Sequence, residues 1–110
     1  MKYVVVALLL MGPAAEAKPD PVDQRVRRHI RKTWVADWRE KQALNVATCE
    51  SGLNPRAKND AGYWGLFQLG EWERERAKPW TWRIKVQVRA AKRYFNMTGR
   101  DWSAWSCSPA

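Results

Sequence analysis

The stretch of the chain with the most chemical content is CESGLNPRAKNDAGYWGLFQ, Cys49 to Gln68. It sets one carboxylate, Glu50, between a cysteine and Ser51-Gly52. A single carboxyl group can give a proton to a leaving oxygen and later take one back, provided its surroundings favour the protonated form. The plainer reading is an exposed acid at the polar end of a helix, since most acids lie at the surface. Ser51 and Gln68 could orient that acid or hold a polar group of a ligand, and each could equally serve the backbone. Trp64, in the same stretch, offers a flat apolar face on which a ring could stack. Metal chemistry finds no support. His29 is the only histidine, Cys49 and Cys107 are too far apart for a zinc motif, and no glycine-rich phosphate loop occurs. Neither metal nor cofactor is expected.

Glu50 needs an element to hold it. The pattern predicts a helix over about Trp38 to Cys49, with Leu44, Val46 and Ala47 inward, that stops at Ser51-Gly52. Glu50 then falls in the last turn, where the helix dipole disfavours an anion. Upstream, Val22, Val26, Ile30 and Trp34 recur every four residues and mark the buried face of a first helix, with Asp20 as its cap and Pro21 in its first position. Trp34 and Trp38 are expected to pack helices together. Asn54-Pro55 and Asn59 to Gly62 carry turn chemistry. Tyr63 to Leu69 reads as a short extended piece or a helix start, and Glu71 to Arg76 as helix, ended by Lys78-Pro79. A last helix over about Arg83 to Asn96 aligns Ile84, Val88, Ala91 and Phe95 and ends at Gly99. Tyr94 lies on that helix and is better read as a core aromatic than as a site residue. Asp101 to Cys107 forms an aromatic C-terminal loop. The fold class is mainly α.

The first residues read differently. Met1-Lys2, an apolar run from Tyr3 to Met11 and Ala15-Glu16-Ala17 have the order of a secretory signal peptide cut after Ala17. The run is shorter than the roughly 20 residues that span a bilayer. The expectation is an exported protein, secreted or held in the cell envelope, with no stable membrane insertion after cleavage. Residues 1–17 are then the signal and residues 18–110 a single small domain. A domain of this size is marginal on burial alone. Eight tryptophans add apolar area. In an exported chain, the only two cysteines, Cys49 and Cys107, read as one disulfide, worth about 4 kcal/mol on a chain-entropy estimate.

The net charge of +9 implies an anionic partner such as a bacterial wall, a membrane surface or nucleic acid. The basic residues are scattered and form no basic tail, which with the signal argues against nucleic acid. Nothing in the sequence points to an obligate partner chain, so a monomer is expected.

Glu50-Ser51-Gly52-Leu53-Asn54-Pro55, Ala57, then Gly62 and Gly65-Leu66-Phe67-Gln68 together resemble the catalytic core of the soluble-lytic-transglycosylase-like family of lysozyme-fold enzymes. The late helix with Val88-Arg89-Ala90-Ala91 and the ending with Trp102, Trp105 and Cys107 are similar to small resuscitation-promoting factors and short phage-type transglycosylases. The resemblance runs from about Val26 to Cys107. The chain departs from the pattern at Tyr63-Trp64 and at Arg100-Asp101, where a sugar groove would be lined.

The resemblance implies a single lysozyme-like domain that cleaves peptidoglycan glycan strands at the MurNAc–GlcNAc bond. Glu50 would be the acid, and Ser51, Trp64, Gln68 and Tyr94 would assist substrate binding. It also implies that one acid can suffice. The muramoyl N-acetyl group assists and the sugar's own 6-hydroxyl attacks, leaving a 1,6-anhydro end. A muramidase that uses water needs the same Glu50, and a retaining glycosidase usually adds a second carboxylate. Asp60, Glu71, Glu73, Glu75 and Asp101 are available downstream, and the motif singles out none of them. A cationic wall-binding or antimicrobial protein without catalysis is the contrasting reading.

Overall fold

Helices α1 (Val22–Thr33), α2 (Asp37–Ser51), α3 (Glu71–Arg76) and α4 (Ile84–Met97) frame the chain in a computed structural model that describes residues 20–109. The signal-peptide reading of residues 1–17 lies outside the described residues. Helix α1 packs on α4 and on α2, and α3 rests against α4. The mainly helical class holds. Among the described residues there is no strand longer than a single bridge pair, and no helix is long and apolar enough to cross a membrane.

The four-residue period of α1 buries Val26, Ile30 and Trp34, but Val22 stays 42% exposed in the open first turn. The expected cap is also different. Pro21 takes the N-cap position rather than the first helical one, and the Asp20 carboxylate pairs with Arg28 instead of capping. Helix α2 runs two residues further than its apolar pattern, through Glu50 and Ser51, and closes on Gly52 in the left-handed region at φ 63°. A side chain there would be strained, which is why this helix ends where it does. Ala43, Val46 and Ala47 face the core, while Trp38 is 57% exposed with the Arg39 guanidinium over its ring. Trp34 is thus the packing tryptophan of this pair, and Trp38 is not.

Tyr63 to Leu69 is neither helix nor regular strand. Trp64 and Leu69 exchange backbone bonds at 3.0 and 3.1 Å, closing a tight loop over Gly65-Leu66-Phe67-Gln68. Gln87, from α4, holds this loop from below: its Oε1 accepts the Leu66 N–H at 2.8 Å and its Nε2 donates to Pro55 O at 3.0 Å. It is the one buried polar side chain of the described core, and both ends of its amide are satisfied. Gly65 makes this possible. Its φ is 81°, and a Cβ there would stand 2.4 Å from Gln87 Oε1 and 2.8 Å from Trp80 Cζ2.

The remaining core is aromatic. Trp34 sits 5.7 Å from both Phe67 and Trp102, centroid to centroid. Trp102 continues to Phe95 at 4.7 Å and to Trp105 at 4.9 Å. Both indole N–H groups of the C-terminal loop find acceptors, Trp102 on Gln42 Oε1 and Trp105 on Phe67 O, each at 3.0 Å. That satisfies the polar edge a buried tryptophan carries.

Candidate active site

Three tethers converge on Glu50. The end of α2 presents it, half-buried. Its Oε2 accepts the Cys107 N–H at 3.1 Å. Cys49, one residue before it, is joined to Cys107 by a disulfide with Cα atoms 6.0 Å apart. The C-terminal loop is therefore held at the carboxylate by a covalent bond and a hydrogen bond from the same residue.

Glu50 lines a cleft of about 210 Å³ together with Tyr63, Gln68, Glu73, Tyr94 and Trp105. The molecule has a larger hollow of about 1040 Å³ elsewhere, which shares no lining residue with this one. Chemistry, not size, singles out the smaller: it brings two carboxyl groups, two phenols and two side-chain amides together beside an indole.

Gln68 and Tyr94 line the same cleft as Glu50. Gln68, at φ 49°, turns its Nε2 back to Gly65 O at 3.0 Å and Ala57 O at 3.3 Å. Its amide nitrogen therefore braces the loop. Tyr94 is both core and cleft. It is 7% exposed, edge-on to Trp105 at 5.5 Å and to Trp72 at 6.3 Å. Burial first, and then the Glu73 carboxylate, push its phenol above the usual tyrosine range. It stays protonated at neutral pH and can donate a hydrogen bond.

Ser51 and Trp64 are placed differently. Ser51 Oγ lies 2.8 Å from Leu66 O and 3.0 Å from Ala47 O, so its single proton is shared between backbone carbonyls. It ties the end of α2 to the glycine loop and does not reach for Glu50. Trp64 belongs to another cluster. The Trp82 ring stacks on it at 5.2 Å, and Trp80 lies 6.0 Å away. The Arg74 guanidinium sits 3.9 Å from its centroid while donating to Gly62 O and Leu69 O. With these groups packed on its ring, Trp64 is a strut of the loop rather than a free stacking surface beside Glu50. Trp105 is the indole at the cleft.

Glu73 is the residue that the motif did not single out. Of the five downstream acids it alone lines the cleft with Glu50. Gly70 makes the space: a Cβ there would meet Glu73 Oε2 at 2.5 Å and Tyr63 Cε1 at 3.1 Å. Asp101, by contrast, is engaged by Ser103 through its N–H and hydroxyl, which hold its carboxyl below the usual range. The short helix α3 hides the signal, because its six residues give no readable apolar face. His29 stands on α1 away from the cleft, and no metal-holding group of side chains occurs among the described residues. No family model, no curated protein and no solved structure matches the chain.

Proposed function

We propose that this chain is an exported enzyme of lysozyme-like fold that cuts the glycan strand of bacterial peptidoglycan between MurNAc and GlcNAc, with Glu50 as its acid. The observation that carries this reading is the cleft itself. A carboxyl group at a helix C-terminus, bonded to the Cys107 amide, shares a cleft with a buried phenol, an amide and an indole. In the proposed reaction the Glu50 carboxyl gives its proton to the leaving glycosidic oxygen as the C1–O bond breaks. Its carboxylate then takes the proton of the sugar's 6-hydroxyl, whose oxygen closes on C1. The products are a free 4-hydroxyl and a 1,6-anhydro-muramoyl end.

One observation favours a second reading, hydrolysis. Glu73 shares the cleft, and a second carboxylate is what glycosidases that use water employ to stabilise the cationic centre or to activate the water. Cys49–Cys107 supports either reading, because it fixes the wall that carries Trp105.

The test is digestion of purified peptidoglycan by the parent protein, Glu50→Gln and Glu73→Gln, with mass spectrometry of the fragments. Anhydro ends that require Glu50 but persist in Glu73→Gln support the transglycosylase. Reducing ends that require both acids support the muramidase. Release of no fragments from any wall type, with tight wall binding retained, replaces both with a non-catalytic cationic wall-binding protein.

A further inference from the structure

We propose that the large hollow between α1, the Gly52–Arg56 segment and the start of α4 is a binding track for a linear phosphodiester polymer without bases, of the poly(glycerol phosphate) kind, separate from the Glu50 cleft. The hollow measures about 1040 Å³, and Arg25, Arg27, Arg56, Arg83 and Lys85 line it against one acid, Asp23. A second hollow of about 320 Å³ continues it. His29 and Lys85 border both, and Lys32 and Arg89 extend the line of charge along α1 and α4. Among the described residues the ion pairs are Arg28–Asp20 and Arg31–Glu40, so these lining cations have no carboxylate partner. Like charges held together without partners work against the fold. His29, at the junction of the two hollows, senses burial and the cations of the smaller one most directly. Burial and then Lys32, Arg28, Lys85 and Arg89 hold its imidazole below the usual range.

The layout selects the ligand. Cations strung along two joined hollows match a charged chain better than a small anion, which needs donors converging on one point. The larger hollow is arginine-rich, and guanidinium forks suit the paired oxygens of a phosphodiester. Nucleic acid fits less well, because single strands bind by stacking bases on open aromatic faces. The one aromatic in the hollow, Trp82, is stacked on Trp64 at 5.2 Å and meets Trp80 at 4.9 Å. A lipid surface also fits less well, because the surface is concave and offers no row of exposed large apolar side chains to insert.

The experiment is a titration of the purified protein with poly(glycerol phosphate), read by calorimetry across a salt series. Binding weakens linearly in log–log form as salt rises. Arg56→Glu with Lys85→Glu weakens it by about tenfold or more and lowers the salt slope by about one per lost contact. Lys41→Glu with Arg100→Glu makes the same change in net charge outside the track and alters affinity by about twofold at most. Glu50→Gln binds like the parent, which separates this inference from the catalytic one. In the parent, the polymer also moves the His29 NMR titration midpoint upward, a readout that needs no variant. Equal losses in the two double variants, no movement of His29, or no binding at low salt would overturn the track. Tighter binding of single-stranded DNA would overturn the assignment to a polymer without bases, and equal binding of a polycarboxylate of matched charge density would overturn the phosphodiester assignment.

Discussion

Two clusters of indoles flank the same glycine loop and do opposite things. On one side Trp64, Trp80 and Trp82 pack on each other, with Lys58 Nζ and the Arg74 guanidinium against their rings. On the other side Trp34, Trp102 and Trp105 run from the centre of the core to the Glu50 cleft, with Tyr94 at the end. The first cluster closes its faces with cations and braces the loop. The second is buried, and its last member, Trp105, lines the cleft that holds Glu50, the open side of the loop. A tryptophan's place inside a motif therefore does not tell which side of the loop it serves; its neighbours decide.

The largest effect should come from the open side. Glu50→Gln is expected to reduce turnover by about 10²- to 10⁴-fold, the usual share of a general acid, while thermal stability stays within about 0.5 kcal/mol. Breaking the disulfide by Cys49→Ser with Cys107→Ser should cost about 2–5 kcal/mol in a denaturant series and lower activity as well, because it frees the loop that carries Trp105. Stability lost with full activity retained would separate the tether from the cleft. On the closed side, Trp64→Ala should cost about 2–3 kcal/mol and leave KM for soluble glycan fragments near the parent value. A large rise in KM at unchanged stability would reverse the roles of the two clusters. Gly65→Ala should cost about 1–3 kcal/mol, since it needs a strained φ and displaces the Gln87 amide. The smallest effect is spectroscopic. In Glu73→Gln the Tyr94 phenol loses a negative neighbour and should ionise at lower pH than in the parent, by ultraviolet titration.

Local rules carried the sequence reading a long way. Ser51-Gly52 marked the end of α2, because few residues other than glycine accept the left-handed φ found at position 52. The cysteine pair followed from counting. The Glu50–Cys107 hydrogen bond could not be read, because it joins residues 57 positions apart through a backbone amide that any residue but proline would provide. Glu73 was hidden by a helix too short to show a period. Gln87 did leave a trace. It falls three residues after Ile84 and four before Ala91, on the apolar face of α4, where a polar residue must find partners if buried. Asp20 and Ser51 show the limit of reading capable side chains: each had two uses available, and a surface arginine two turns on took Asp20 while the glycine loop took Ser51.

The aromatic pairs also bear on how the protein will look to an instrument. Trp102 and Trp105 meet at 60° and Trp80 and Trp82 at 75°, each with centroids 4.9 Å apart. Indoles this close and this tilted mix their electronic transitions. Their bands then overlap the circular dichroism by which helices are measured, and helix content taken from that spectrum alone will be misjudged. The same coupling gives each cluster its own optical signature, so loosening of the loop's closed side and of its open side can be followed separately in one unlabelled sample.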